Sequence, residues 1–516
     1  MKRNKVLFLL GLLSTSAISL PLVAISCGGN KATEQQPKPI PGTSEPKPTP
    51  GNDETKNPAL ITLKSQNPAI KIEFNKDTKV LSVKNAPIID FDLLNDFLQQ
   101  LDEMFDNKVG NITLECPDTK TIAVGYPYVT SVKVTKLIMP KLESTTDHVF
   151  RLWNPERDWL FKNLQDDKVV QNGVLIKWDN AIGNLVDNNI TKILQYAFMD
   201  TQNITGIDFP KLNDIEATAF MGTNGDIFPK ITEKLVVNGI LIKYPGAKGE
   251  IKDDSIKQIY AYVFKGNTSI TSVSFPNATK LYYGAFLDAS NLAKVDLPKL
   301  DNIGNFAFEN CTSLTSVSFP KVTAVGEYAF SNCKNLSSVE LPLVSSMDKV
   351  PFDATPKLPE KLIFNKILAK WSNAEGEVSD LEVTQLVPEL FRNNNKITSA
   401  NFPNVTKISS WLFAKATELK NATFEKATII DSSAFKEAES LVQIQAPNVT
   451  KIAAEGFSGA VSLVSVSFPN VTEIGERAFA NDISLKQADF PKATIIAHTA
   501  FVGTDNLTDK PSAQKN

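Results

Sequence analysis

Residues 319–340 read FPKVTAVGEYAFSNCKNLSSVE, and the same order of apolar and polar residues recurs every twenty-two positions along most of the chain. In the typical copy Phe or Leu precedes a Pro, and an Ala-Phe pair, a small residue and a Leu follow. Segments 275–296, 297–318 and 468–489 show this order clearly. A fixed period of this length predicts a solenoid, because each unit buries its apolar face only against its neighbours.

The Phe of the Ala-Phe pair marks the turns of this predicted solenoid. Stacking places equivalent residues of successive turns one above another, so these rings are predicted to form one buried ladder through residues 169–507. The marker occurs thirteen times, at Phe198, Phe220, Phe264, Phe286, Phe308, Phe330, Phe352, Phe391, Phe413, Phe435, Phe457, Phe479 and Phe501.

Each repeat has the pattern of short strands. Val317 and Phe319 are two residues apart, which predicts a strand that ends at Pro320, because Pro donates no ladder hydrogen bond. A second short strand is predicted at 323–325. The predicted fold class is therefore a repeat solenoid, mainly β with irregular or short helical connections, of about thirteen turns of twenty-two residues.

A resemblance to a known family rests on the spacing seen at Leu314, Val317, Phe319-Pro320, Val325-Gly326, Ala329-Phe330, Cys333 and Leu336. This spacing resembles the leucine-rich repeats of the BspA-like class of bacterial surface proteins, and the resemblance covers about 190–507. The chain departs from that pattern by often placing Phe before the Pro and Ala in place of the Cys. The resemblance implies a leucine-rich-repeat fold and a surface-displayed binding or adhesion protein, without indicating a ligand.

The first 26 residues have the features of an export signal. A basic start precedes an apolar run at 6–13, which is too short to span a bilayer as a mature helix. Residues 23–28 read VAISCG, which looks like a lipobox in which cleavage leaves the lipid on Cys27. The alternative is an ordinary secretion signal with an incidental Cys. The sequence thus predicts a protein anchored through Cys27 at the extracellular face of the cell membrane.

Residues 27–58 are rich in Pro and polar residues, which predicts a disordered spacer between the lipidated Cys and the folded part. No later run of eighteen apolar residues occurs in the sequence, so no other membrane span is expected. The net charge of −3 comes without a basic patch, which argues against a nucleic-acid partner. With its lipobox and the scarcity of Arg among its basic residues, the sequence resembles a lipoprotein of mycoplasma type.

The mature chain is predicted to begin with a small α+β cap at 59–128. Alternating apolar residues predict a hairpin at 70–83, and a helical stripe predicts a helix at 90–105. The remaining segments are a degenerate repeat at 129–168, the leucine-rich-repeat solenoid at 169–507 and a tail at 508–516.

Three apolar runs divide the predicted solenoid into blocks near 169–235, 236–362 and 363–507. They end at Trp178, Tyr244 and Trp371, each twenty residues before a marker Phe. The first two contain Asn172-Gly173 and Asn238-Gly239, which predict tight hairpin turns because Asn-Gly accepts positive φ. Asn365-Lys366 replaces Asn-Gly in the third run, where the turn signal is weaker.

The sequence contains little that predicts chemistry. Cys311 and Cys333 occupy one position in consecutive turns, where a disulfide or a metal pair is one interpretation. Ala holds that position in several other turns, which favours a small buried side chain. The two His, at positions 148 and 498, lie outside any catalytic or metal-binding motif. The prediction is a non-enzymatic protein with no cofactor, no metal and no small-molecule substrate.

The outward face of the Val-x-Phe strands is the candidate binding surface. Alternation sends small hydrogen-bonding residues outward from each of these strands. In the last block they are Ser399, Asn401, Asn421, Thr423, Gln443, Gln445, Ser465 and Ser467. One interpretation is a solvated sheet face that is kept polar. The other is a docking surface for an extended macromolecular partner.

The predicted function follows from these observations. It is a surface-exposed, lipid-anchored repeat protein that binds macromolecules, as an adhesin or host-interaction protein whose partner is protein or extracellular matrix. The alternative is an antigenic or structural coat lipoprotein without a dedicated ligand.

Overall fold

A computed structural model describes residues 59–511, apart from 66, 107, 124–131, 146–163, 195, 199–200, 202, 217–218 and 221–230. Several predicted features lie outside the described residues: the signal segment 1–26, Cys27, the spacer 27–58, His148 and residues 512–516 of the tail.

An antiparallel hairpin and one helix open the described chain. The hairpin predicted at 70–83 and the helix predicted at 90–105 are both confirmed, and the helix buries Leu94, Phe97 and Leu101. The elements of this N-terminal block are β1 (Leu60–Thr62), β2 (Lys71–Asn75), β3 (Val80–Lys84), β4 (Ile88–Asp90), α1 (Phe91–Met104), β5 (Asn111–Glu115), β6 (Thr121–Ala123), β7 (Lys133–Ile138) and β8 (Ser144–Thr145).

Three further blocks follow, and each begins with an antiparallel hairpin. The first contains β9 (Lys168–Gln171), β10 (Val174–Trp178), β11 (Ile182–Val186), β12 (Lys192–Ile193), β13 (Asn203–Asp208) and β14 (Asp214–Ile215). The middle block contains β15 (Leu235–Val237), β16 (Ile240–Lys243), β17 (Gly249–Lys252), β18 (Gln258–Ile259), β19 (Ile270–Ser274), β20 (Lys280–Leu281), β21 (Lys294–Asp296), β22 (Asn302–Ile303), β23 (Ser316–Ser318), β24 (Ala324–Val325), β25 (Ser338–Glu340) and β26 (Ser346–Met347).

The last block has the longest series of strands. It contains β27 (Lys361–Phe364), β28 (Ile367–Trp371), β29 (Gly376–Ser379), β30 (Gln385–Leu386), β31 (Ile397–Asn401), β32 (Lys407–Ile408), β33 (Asn421–Thr423), β34 (Ile429–Ile430), β35 (Gln443–Gln445), β36 (Lys451–Ile452), β37 (Ser465–Ser467), β38 (Glu473–Ile474), β39 (Gln487–Asp489) and β40 (Ile495–Ile496).

Typical turns contribute one strand to each of two parallel sheets. Val273 lies opposite Val295 in one sheet, and Ile303 lies opposite Val325 in the other, so both registers advance by the twenty-two residues of the repeat. The result is a β-solenoid of about sixteen turns with almost no helix. The predicted fold class is therefore confirmed.

The number of turns exceeds the thirteen expected because parallel stacking starts in the N-terminal block. There β5 and β7 pair in parallel, with Asn111 opposite Lys133, although no Ala-Phe pair marks these turns. The boundaries predicted for the cap and the degenerate repeat stay predictions.

The second strand of each hairpin forms a wall between two hydrophobic cores. In β28, Ile367 and Ala369 pack into the core of the middle block, whereas Leu368 packs into the core of the last block. The alternation repeats in β10 and β16. Burial on both faces explains why these strands read as continuous apolar runs.

The hairpin turns have the predicted left-handed backbone. Asn238 and Gly239 have φ of 49° and 84°. In the third copy, Asn365 and Lys366 have φ of 46° and 67°, so the same turn forms without Gly. The Nδ2 atom of Asn365 donates to the backbone oxygen of Val344 at 2.8 Å, which attaches the turn to the preceding block.

The marker Phe rings are buried as predicted, but the prediction of one continuous ladder is wrong. The rings form three stacks, of which Phe198–Phe220 is the first, Phe264–Phe352 the second and Phe391–Phe501 the third. Each stack begins on the aromatic residue of its hairpin: Trp178, Tyr244 or Trp371 lies 6.1 Å from the first Phe. The ladder is interrupted because a hairpin wall stands between successive cores.

Candidate functional site

The polar face predicted from alternation lies on β31, β33, β35 and β37. Val466 and Phe468 are buried, with 5% and 1% exposure, while the alternating Ser465 and Ser467 are exposed. Across the turns, Asn421 lies directly opposite a serine on one side and a glutamine on the other. The aligned triplets are Ser399, Asn421 and Gln443, and Asn401, Thr423 and Gln445.

The predicted row has one interruption. β35 is the last strand of a four-stranded sheet and β37 begins a separate pair with β39, so in the described structure Gln443 and Ser465 are not ladder partners. The stacking of Phe435 on Phe457 at 5.3 Å continues across the same turns. The eight predicted residues therefore form two adjacent patches on one core.

Hydrogen bonding distinguishes the residues of this face. Ser467 Oγ donates to an Asp489 carboxylate oxygen at 3.0 Å, so it is satisfied within the fold. Within the part of the chain that the structure describes, the side-chain amides of Asn421, Gln443 and Gln445 form no hydrogen bond, and all three are exposed. These amides are both donors and acceptors, and they are available to another chain.

Two apolar residues at the edge of this face were missed by sequence reasoning. Val442 and Val464 are 51% and 49% exposed, and each directly precedes an outward polar residue. Lys420 and Lys486 hold the same position in the flanking turns, and both are exposed. The sequence feature that could have revealed them is that two Val occupy a position where most turns carry a polar residue. The surface thus combines free amides, two exposed aliphatic groups and a cation at either end.

An open groove of about 540 Å³ runs along another edge of the last block, lined by Lys426, Thr428, Asn448, Thr450, Asn470, Thr472 and Lys492. Most of its polar groups are used by the fold. Thr450 Oγ1 lies 3.2 Å from the backbone oxygen of Thr428, and Asn448 Nδ2 donates to the backbone oxygen of Glu425 at 2.8 Å. This groove is therefore a weaker candidate than the strand face.

The Cys residues in the described part of the chain belong to the core. Cys311 and Cys333 are free and buried, and their Sγ atoms lie 3.2 and 3.1 Å from the backbone oxygens of Phe286 and Phe308 in the preceding turn. Burial raises the pKa of Cys333 to about 12 and that of Cys311 well above its usual range. The thiols are thus held in the protonated form.

His498 is exposed, and no group of three His, Cys, Asp or Glu side chains with metal-binding geometry occurs among the residues described. No helix in the described part of the chain is both long and apolar enough to cross a membrane.

The fold and the repeated face define a leucine-rich-repeat β-solenoid of the kind that presents wide surfaces to other macromolecules. The model of the BspA type leucine-rich repeat region matches residues 182–232, 250–367 and 383–508, which is more than half of the chain. The protein belongs to this family. It is a family of bacterial surface-type repeat proteins, which are typically non-enzymatic scaffolds that bind proteins or other macromolecules.

Several solved structures are similar to this chain. A leucine-rich-repeat protein of Bacteroides ovatus is 21% identical over 65% of this chain and 88% of its own, with a TM-score of 0.34. A leucine-rich cell surface protein of Faecalibacterium prausnitzii is 16% identical over 66% and 91%, with a TM-score of 0.28. The pneumococcal vaccine antigen PcpA is 15% identical over 84% and 87%, with a TM-score of 0.26. No curated protein matches the chain.

Proposed function

We propose that this protein is a lipid-anchored adhesin or host-interaction protein at the extracellular face of the bacterial membrane. Its partner is a protein or a component of the extracellular matrix. The residue proposed to carry the lipid is Cys27 in the VAISCG segment, and the Pro-rich spacer follows it. The membership in a family of surface-type repeat proteins supports it.

The observation that carries the binding proposal is the set of free amides on the last block. Asn421 and Gln443 are aligned across β33 and β35, and their side chains form no hydrogen bond within the described structure. An extended segment of a partner docks well on such a surface, because it pairs with amides at regular intervals and covers Val442 and Val464. Burying two half-exposed Val side chains adds apolar contact area to these hydrogen bonds.

The test replaces Asn421, Gln443 and Ser465 together with Glu in the full-length protein. Three negative charges on this face are expected to weaken binding to host cells and matrix proteins at least about tenfold. The carbonyl oxygens of the partner then face carboxylates, which cannot donate a hydrogen bond to them. Binding is measured as saturation on cells and on immobilised matrix proteins.

The matched control adds the same three charges to exposed positions outside this face, as Asn302→Glu and Ser346→Glu on β22 and β26 of the middle block and Gln385→Glu on β30 of the last block. Circular dichroism establishes that both triple variants are folded. If the face variant binds as well as the wild type, the docking proposal is refuted. The coat interpretation, without a dedicated ligand, then accounts better for this surface.

A further inference from the structure

A second row of aromatic residues runs outside the core of the middle block. We call Tyr262, Tyr283, Phe306 and Tyr328 the aromatic row. All four are partly exposed, and consecutive ring centroids are 5.3, 5.1 and 5.6 Å apart. The row therefore presents a continuous edge of aromatic rings to solvent, in addition to the buried stacks.

The solenoid does not require aromatic residues at this position. Phe306 and Tyr328 have φ of 57° and 51°, and the equivalent residues of the last block, Ser433, Glu455 and Arg477, have the same left-handed backbone. Polar residues thus occupy the position in turns that are otherwise alike. Tyr196 and Trp411, with φ of 56° and 58°, are aromatic at the same position in the first and last blocks, so the middle block is distinguished by its run of consecutive ring contacts.

The row stays continuous through a turn whose left-handed residue has no side chain. Gly284 occupies that position, with φ of 55°, and a Cβ there would lie 2.8 Å from the Cε1 atom of Tyr262. Tyr283, one residue earlier, supplies the missing ring and packs against both Tyr262 and Phe306.

Carboxylates lie beside the aromatic row. Burial raises the pKa of Tyr283, and the charges of Glu327 and Glu309 near its hydroxyl act in the same direction. At the end of the row, Tyr328 Oη donates to a carboxylate oxygen of Glu389 at 3.3 Å.

Two cations pair with Glu327 and Glu389, and Arg392 Nη1 lies 3.0 Å from a carboxylate oxygen of Glu389. Lys349 is shared, with its Nζ 3.4 Å from Glu327 and 3.6 Å from Glu389. Glu309 forms no ion pair with any described residue, and burial and the charge of Asp288 raise its pKa. Glu309, Glu327, Glu389 and Asp288 outnumber Lys349 and Arg392 at this end of the row, so an excess of negative charge remains there, whereas Lys265 Nζ lies 4.9 Å from the Tyr262 ring at the other end.

We propose that the aromatic row and its carboxylates bind a basic, extended segment of a partner protein, with Arg side chains as the principal contacts. A guanidinium group stacks on an aromatic ring and pairs with a carboxylate at the same time, which an ammonium group does less well. Turns stack about 4.8 Å apart, so successive rings and carboxylates meet side chains of a chain that runs along the solenoid. A polyanion is repelled by this surface.

The test measures binding of a fluorescent oligo-arginine peptide to the full-length protein by anisotropy, with oligo-lysine and oligo-glutamate peptides of equal length for comparison. Oligo-arginine is expected to bind about tenfold more tightly than oligo-lysine, and oligo-glutamate is expected not to bind. Equal affinity for the two basic peptides would overturn the role of the rings.

Two variants locate the site. Phe306→Ser introduces the residue found at the equivalent Ser433, and it is expected to remove the preference for Arg over Lys. Glu309→Gln with Glu327→Gln leaves the rings in place and is expected to weaken both basic peptides about tenfold. The charge-matched control is Glu418→Gln with Glu439→Gln, two exposed acids of the last block, which is expected to bind like the wild type.

Thermal unfolding separates folding from binding in these variants. If Phe306→Ser lowers stability, the two Gln substitutions still test the role of the carboxylates, since Gln has nearly the same shape as Glu and the ring contacts stay intact. Wild-type affinity in the Gln variant, or equal weakening in the control, would overturn the proposal. The proposal would also be overturned if the protein bound a neutral oligosaccharide and this binding were lost in Phe306→Ser but kept in the Gln variant.

Discussion

Phe435 shows what one residue contributes to the third ring stack. It is fully buried, and its ring lies 5.6 Å from that of Phe413 and 5.3 Å from that of Phe457. Phe435→Ala is expected to lower the free energy of unfolding by about 3–5 kcal/mol, because the cavity lies between two stacked rings that cannot close over it. Urea unfolding measures the change. Ile483→Ala is the control, since Ile483 is 56% exposed, and a similar loss in that variant would contradict the explanation.

Asp482 is a buried acid at the position that Cys333 and Ala460 hold in other turns. One carboxylate oxygen accepts the backbone N–H of Ala460 at 2.8 Å, and the other has no hydrogen-bond partner in the described structure. Burial raises the pKa of Asp482 from 3.8 to about 8. The unfolded chain therefore loses this proton at lower pH than the folded chain does. The stability that the protonated form provides is complete below about pH 4 and is lost as the pH rises toward 8.

Asp482→Asn is expected to remove this pH dependence, because the amide mimics the protonated acid. At pH 8 the variant should be more stable than the wild type by an amount on the order of a few kcal/mol, and at pH 4 the two should be similar. Melting temperatures across this range measure the difference. Asp505→Asn, an exposed acid of the last turn, should leave the profile unchanged. An equal gain at both pH values would show that Asp482 does not titrate in this range.

At the scale of elements, the hairpin turns hold successive blocks together. Asn238 Nδ2 lies within hydrogen-bond distance of the backbone oxygens of Phe209, Pro210 and Leu212, at 3.4, 2.7 and 2.9 Å. Asn238→Ala is expected to cost about 1 kcal/mol, because the partly buried carbonyl groups of Phe209 and Leu212 lose their donor. Hydrogen exchange should rise in β15 and β16. Asn302→Ala, in an exposed strand position, should leave that exchange unchanged, and protection equal to wild type in Asn238→Ala would contradict the proposed attachment.

The sequence predicted the strands and their pairing correctly wherever these depend only on a residue's position in the repeat. The period of twenty-two determines both ladder registers, so the alignment of Asn421 with Gln443 followed from counting residues. The break between the ring stacks did not follow, because β28 alternates between two cores and only the three-dimensional arrangement shows that Phe352 and Phe391 belong to different ones. The role of Tyr283 was also missed, since it lies one position out of register.

At the scale of the whole molecule, one prediction concerns attachment to the membrane. Cys27→Ser is expected to move the protein from the detergent phase to the aqueous phase in phase partitioning, because the proposed acyl chains on Cys27 are the anchor that the sequence indicates. Metabolic labelling with a fatty-acid analogue should lose its signal in the same variant. Cys116→Ser, at a buried thiol of the N-terminal block, is the control. Partitioning into detergent that survives Cys27→Ser would contradict lipidation at this position.

The three hairpin walls have a consequence for how the molecule withstands damage. Because β28 separates the core of the middle block from the core of the last block, opening of the middle core exposes one face of this strand and Val387 behind it, but not the rings of the third stack. A protease that nicks a connection inside the middle block should therefore leave the ring stack Phe391–Phe501 folded behind β28. A surface exposed to proteases benefits from such compartments, since the free amides of Asn421 and Gln443 would keep their spacing after a cut elsewhere in the chain.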